Sequence, residues 1–467
     1  MRAPKYTEKG ETILKKFFTT IIVTAMALFA FPFSGCKDGS SASANLDFRL
    51  YNGGEAYYVA GIGKETSHDI VIPAEHNGKP VTGVGGKSFK GNGNVVSVEI
   101  PSSIEWVGVG AFRDCPALRK VVWNAPAARV DELNDKNRVF LGSENIEEFV
   151  LGSAVEKIPG GLFAYANGSK ITEITLPAGL KKVAANTFSS VNPIKINVAS
   201  LKKWLAIEKT GTGAPLVAYY TLAFGGETVE SLDLSGITEL RENEFSGCVS
   251  VKSVTFGTET TAVARSAFAG CTAFSSASVK SGNPKFYEKC GVVYSSADNN
   301  FAIIPPALGG EIELPAGVPS VPDGAFSGTL IEKLFVPGTV GSIGENAFGD
   351  CKSLASVTIG EGATTISDGA FGGCGALTEV TLPQSVTDIG SEVFAGSPLL
   401  SIYYRGETLP GGTGWQSLPV WLYRESAPVA PGNYWHYADD GVTPLKWEAV
   451  SNGDRANSPA RPAQRKS

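Results

Sequence analysis

Histidine and methionine are nearly absent from this chain, at three and two of 467 residues, and only 18% of its residues are charged. So few titratable groups leave little material for general acid–base catalysis. His68, His76 and His436 are far apart in sequence, and nothing around them marks a nucleophile–base pair. The seven cysteines include no Cys-x-x-Cys pair, which removes the commonest zinc pattern. The formal net charge is −6, so the basic footprint of a nucleic-acid binder is missing. Gly83-Val-Gly-Gly86 and Gly108-Val-Gly110 do not complete a strand-to-helix phosphate fingerprint and are expected to be turns. The expectation is a protein that is not an enzyme and has no metal, cofactor or nucleic-acid partner.

What is present begins with an export signal. Lys15 and Lys16 precede an apolar run over residues 17–33 that carries Pro32 and is short for a membrane-spanning helix. It ends at Ser34-Gly35-Cys36, which resembles a bacterial lipobox, although Phe33 stands where a Leu is usual. Residues 1–35 are therefore expected to be a lipoprotein signal peptide and Cys36 the lipidated residue; a secretory signal and an uncleaved anchor are the alternatives. Cleavage would move the formal charge from −6 to −9, because five basic and two acidic side chains leave with the signal. Attachment to a membrane would then rest on the acyl chains. Residues 36–45, rich in Ser, Ala and Gly, read as a flexible tether, and the polar residues 450–467 as a disordered tail.

The body of the chain repeats itself. Residues 340–359 are echoed by 364–382, with Phe348 and Phe371, Cys351 and Cys374, Leu354 and Leu377, and Val357 and Val380 each 23 residues apart. A period of that size across so many positions predicts a stacked solenoid. The anchor is a phenylalanine, recurring at Phe89, Phe112, Phe140, Phe163, Phe188, Phe245, Phe268, Phe326, Phe348, Phe371 and Phe394. Two wider gaps, of 57 and 58 residues, are expected to hold a degenerate coil plus an insertion, at about 196–230 and 280–305. Alternating pairs such as Val121 with Trp123, or Val380 with Leu382, predict a strand with one buried face. Second pairs, such as Ile104 with Val107 and Val386 with Ile389, should turn inward before the phenylalanine. Phe48-Arg-Leu50 and 56–60, joined through Asn52-Gly53-Gly54, predict a hairpin covering the first coil.

Ile100-Pro-Ser-Ser-Ile-Glu-Trp-Val-Gly-Val-Gly-Ala-Phe-Arg-Asp-Cys-Pro-Ala-Leu118 resembles the repeat of the BspA-like leucine-rich-repeat family of bacterial surface proteins. Asn283-Pro-Lys-Phe-Tyr-Glu-Lys-Cys-Gly-Val-Val-Tyr294 is similar to a hairpin of that family, with Cys290 where an Asp is more usual. The resemblance covers roughly 46–403. It implies a leucine-rich-repeat solenoid, β-rich, with short strands and turns in each coil of about 23 residues. It further implies adhesion or protein–protein interaction, with host matrix or other cell-surface proteins as partners. The expected location is outside the cytoplasm, lipid-anchored in the bacterial cell envelope at the outer membrane or cell surface. A periplasmic scaffold is the alternative.

Three sets of residues are singled out for function. The outward positions Glu99, Val122, Thr175, Thr255, Ser278, Thr358 and Thr381 should line one face with little charge, suited to a partner's loop or extended chain. Residues 404–449 carry four of the seven tryptophans and are expected to cap the last coil. Within them, Trp415, Trp421, Tyr434 and Trp435 form a candidate aromatic platform for glycan or peptide. Cys115, Cys248, Cys271, Cys351 and Cys374 each follow an anchor phenylalanine by three positions. They are expected to be buried as small apolar side chains, with bridges between adjacent coils left open.

Overall fold

The structure is a computed structural model that describes residues 42–130, 138–163, 170–184, 187–188, 194–209, 219–410, 418–428 and 432–447. The signal peptide, Cys36, the tail and Trp415 lie outside these residues.

Short strands stack in parallel, one coil on the next, as the alternation predicts. The four-residue strands Ser97–Ile100, Lys120–Trp123 and Glu148–Leu151 pair in register, each turning alternate residues into the core. The same ladder runs through Ser231–Leu234, Ser253–Phe256 and Ser276–Val279. Its longest stretch, an eight-stranded sheet, begins at Gly309–Glu313 and reaches Pro444–Lys446. The inner pairs form two-residue strands, such as Trp106–Val107 and Asp388–Ile389, and Ile104, Val107, Val386 and Ile389 are all buried. Ahead of the first coil, Asp47–Tyr51 and Ala56–Gly61 pair antiparallel, and the second of these pairs in parallel with Lys79–Val84.

The anchor phenylalanines stack face to face between coils. Phe348 and Phe371 have ring centroids 5.3 Å apart at 3°, and Phe89 and Phe112 are 4.8 Å apart at 9°. These spacings match the ~4.8 Å between hydrogen-bonded strands, so ring stacking and strand pairing reinforce one another. Truncating such a ring to alanine typically costs about 3–5 kcal/mol, because a cavity remains.

Both wide gaps keep the core continuous by substitution. In the first, the helix Leu201–Ala206 is capped by the Ser200 hydroxyl and buries Trp204, whose ring lies 6.3 Å from Phe245 at 22°. Trp204 thus takes a phenylalanine's place. Lys209 Nζ and Arg241 Nη2 donate to the helix carbonyls of Trp204 (3.1 Å) and Leu205 (2.7 Å), and the buried Glu244 carboxylate accepts from both cations, from Arg241 Nε at 2.8 Å. In the second gap, the strands Phe286–Lys289, Val292–Ser295 and Phe301–Ile303 make an antiparallel sheet rather than a plain hairpin. Val293 and Ile303 join the core on one side of it, and Val292, Tyr294 and Phe301 the core on the other.

Two local expectations change. Gly83 is not in a turn but in the strand Lys79–Val84, where a Cβ would stand 2.2 Å from the Trp106 ring that covers it. The repeat cysteines are buried free thiols, yet not merely apolar filler. Cys115 donates to the Phe89 carbonyl (3.0 Å), Cys271 to Phe245 (3.1 Å), Cys351 to Phe326 (3.1 Å) and Cys374 to Phe348 (3.2 Å), in each case one coil back. Ser143 and Ser397 occupy the same repeat position and donate to Phe112 (2.6 Å) and Phe371 (3.0 Å). Burial pushes the Cys115 and Cys271 thiols up to about 11 and about 12, so both keep the proton they donate. Replacing Cys374 by Ala should therefore cost about 1 kcal/mol for the lost hydrogen bond, and replacing it by Ser distinctly less. Urea midpoints of the two variants check this ordering.

Candidate binding face

Strand register decides which outward residues stand together. Glu99 pairs across to Val122 and Val122 to Val150. Thr175 is beside Asn197, whose amide donates to its hydroxyl at 3.3 Å. Thr255 is beside Ser278, their hydroxyls 2.9 Å apart. Thr358 is beside Thr381. The seven residues expected in one ladder are thus split among four sheets; the two insertions make two of the breaks, and the third falls between Glu148–Leu151 and Glu173–Thr175. What is brought together is a set of short rows.

The longest row is in the eight-stranded sheet. Glu313, Phe335, Thr358, Thr381, Tyr403 and Trp421 follow one another across six strands. Phe335 is 41% exposed, unusual for a phenylalanine in this chain, and Thr358 is exposed next to it. Phe335 and Tyr403 were not among the expected face residues, although stepping back 23 positions from Thr358 reaches Phe335. The charge at the start of the row is compensated, with Glu313 3 Å or less from Lys289 Nζ (2.9 Å).

The outward row alongside carries the charge. Lys333 pairs with Glu311 (2.6 Å), as Lys120 does with Glu148 (2.9 Å) and Lys195 with Glu173 (3.5 Å) elsewhere. Exposed pairs of this kind are worth little to stability, but they neutralise the strip beside the uncharged row. Glu311, Lys333, Phe335, Ser356 and Thr358, with Cys290 at the tip of the insertion, line a shallow groove of about 410 Å³.

The described aromatic residues close one end of this face. Tyr423 pairs with Trp435 and Leu422 with Tyr434, so Trp435 shares the face of Trp421 while Tyr434 is on the opposite one. Trp435 is completely buried, packed on Tyr403 (5.4 Å) and Tyr437 (4.8 Å), and its Nε1–H donates to the Tyr404 carbonyl at 2.9 Å. It therefore has no ring face for a sugar. Trp421 and Tyr434 are half-buried, and each already has a cation of this chain over its ring: Lys446 at 4.4 Å and Arg424 at 5.2 Å. Such contacts hold the aromatic side chains in place.

Among the described residues, no three His, Cys, Asp or Glu side chains come together as a metal site. His76 stacks on Phe48 at 4.0 Å. The Glu244 cluster has its carboxylate sealed in the core, so it serves packing and not a ligand. Replacing Trp435 by Ala should lower stability by about 3–5 kcal/mol, whereas Trp421→Ala should cost far less. Thermal melts of the two variants separate an aromatic knot from an exposed shelf.

Comparison with known proteins gives a consistent family. The BspA type leucine rich repeat region matches in six copies, over residues 69–197, 220–297 and 310–407. No curated protein matches. Among solved structures, the chain is similar to a leucine rich cell surface protein from Faecalibacterium prausnitzii, at 20% identity and a TM-score of 0.39, covering 78% of this chain and 94% of that one. A leucine-rich repeat protein from Bacteroides ovatus is 18% identical, with a TM-score of 0.38 and the same coverage of 78% and 94%. The pneumococcal vaccine antigen PcpA is 19% identical, with a TM-score of 0.37, over 78% of this chain and 81% of that one.

Proposed function

The chain belongs to the BspA-type leucine-rich-repeat family, and from that premise we propose that it is a non-catalytic protein of the bacterial cell envelope that binds other proteins through its outward sheet face. Leucine-rich-repeat proteins of this type are cell-surface interaction proteins, and the reading here is adhesion to host matrix or to surface proteins of another cell. The observation that carries it is the uncharged row Phe335, Thr358 and Thr381, bounded by self-neutralised charge on one side and by the aromatic knot at its end. Little charge has to be desolvated for a partner to lie along it, and Phe335 supplies an apolar contact of the kind that anchors interfaces. The leader and Ser34-Gly35-Cys36 support attachment through acyl chains on Cys36.

The sugar-binding reading has less support, because of its described rings Trp435 is buried and Trp421 and Tyr434 are faced by Lys446 and Arg424. Two measurements test the proposal. Protease treatment of intact cells should remove the repeat region; complete protection would place the protein in the periplasm. The double variant Thr358→Lys with Thr381→Lys should keep its circular dichroism spectrum and lose about tenfold or more in affinity for matrix protein or partner cells, a loss of ~1.4 kcal/mol. Unchanged binding would move the site off this face.

A further inference from the structure

The two-residue strands make a second face, separate from the sheet that carries Phe335. In Trp106–Val107, Ser320–Val321, Ser342–Ile343 and Thr365–Ile366 the second residue is buried and the first turns outward. The later coils fill the outward place with Ser320, Ser342 and Thr365, so the fold needs only a small polar side chain there. An early coil puts Trp106 in it instead.

Register gathers more aromatic residues around that tryptophan. Arg49 pairs with Tyr58, Tyr58 with Gly83, Gly83 with Trp106 and Trp106 with Arg129, in one row across the strands. Four strand steps of ~4.8 Å make this row about 19 Å long. Tyr51 is two residues on from Arg49 and therefore on the same side. Its ring is 5.7 Å from Trp106 and 6.5 Å from Tyr58, and Tyr58 and Trp106 are 5.6 Å apart. Two glycines make room for the rings: a Cβ would stand 2.2 Å from the Trp106 ring at Gly83 and 3.1 Å from the Tyr58 ring at Gly85. Tyr51 is 36% exposed, and Tyr58 and Trp106 are half-buried. Exposed Arg49, which also meets Asp47 at 3.5 Å, and exposed Arg129 stand at the two ends of the row.

The floor beneath these rings has hydrogen-bonding capacity left over. The register shifts between Tyr57 and Tyr58, so the facing strand holds one extra residue. Val81 and Val84 are both in the core, which leaves Thr82 and Gly83 on the outward side. Thr82 is nonetheless buried, and among the described residues its Oγ1 and the Trp106 Nε1 have no hydrogen-bond partner. Buried polar groups are ordinarily paired. A ligand that suits this spot offers an apolar face to the rings and polar groups to the floor. An aliphatic side chain offers only the first; a pyranose offers both, a C–H face and a rim of hydroxyls. Reaching the floor takes a side-chain rotation of the kind common at binding surfaces, and Tyr51, exposed and next to the turn Asn52–Gly54, is placed for it.

We infer that Tyr51, Tyr58 and Trp106 form a glycan site on the short-strand face of the first coils. One pyranose stacks on Trp106 and Tyr58, and its hydroxyls pair with Trp106 Nε1–H and Thr82 Oγ1. Arg49 and Arg129 donate to hydroxyls or carboxylates of the sugars on either side. The site is separate from residues 404–449 and from the Phe335 row, so its failure would leave the protein-binding reading untouched.

Affinity electrophoresis of the purified protein through gels holding hydroxyethylcellulose, dextran, polygalacturonate or heparin tests this. At least one of these polysaccharides should retard the protein, and free polyglutamate should not release it. Trp106→Ala should weaken the apparent affinity about tenfold or more, whereas Trp421→Ala should leave it unchanged. If Trp106→Ala lowers the melting temperature, Tyr51→Ala, at the exposed end of its strand, should keep the melt and still weaken retardation. No retardation in any gel or full retardation of either variant of this site would overturn the inference. So would loss of retardation in Trp421→Ala, or release by polyglutamate, which would mark a surface for acidic peptide instead.

Discussion

Two ladders in this protein must share one pitch. The backbone sets about 4.8 Å between paired strands, and the anchor rings, at 4.8 to 5.7 Å, fall on nearly the same step. In six coils the thiol or hydroxyl three residues after the ring ties the coil to the phenylalanine carbonyl of the coil before it. No coil can be displaced without opening both ladders, so the chain tolerates insertions only where another ring takes over. Trp204 does this in one gap, and Phe301, edge-on to Phe326 at 5.3 Å, does it in the other.

The same pitch governs what the surface can present. An outward residue is translated along the sheet with each coil, so function on this scaffold is written in rows instead of pockets. A row persists only as far as an uninterrupted sheet, and the two insertions divide the molecule accordingly. The eight-stranded stretch has the longest uninterrupted face. There the uncharged row and the charge-paired row run side by side, and the aromatic segment adds its strands to the same sheet.

Much of the fold was legible in the sequence because its cause is periodic. The phenylalanine spacing, the inward pairs and the strand alternation all report burial directly. Trp204 was not legible as an anchor, since it comes only 16 residues after Phe188 and off the repeat. The cysteines were read as apolar filler, although Ser143 and Ser397 at the same repeat position were a visible sign that a hydrogen-bond donor is wanted there. The binding face was legible in its residue type but not in its continuity, which depends on where insertions break the sheet. The described aromatic residues divide for a reason alternation already contained: Tyr434 and Trp435 are neighbours in one strand and project to opposite faces.

The ends of a solenoid are where its economy fails, because a repeat that satisfies each coil by its neighbour leaves the first and last unsatisfied. Sheet edges are ordinarily blunted by charge or covered by another element. Here the long-strand side is extended past the last anchor by the aromatic strands, and at the other end Ala56–Gly61 covers the inner strand of the first coil, so each end is closed by an element that is not itself a repeat.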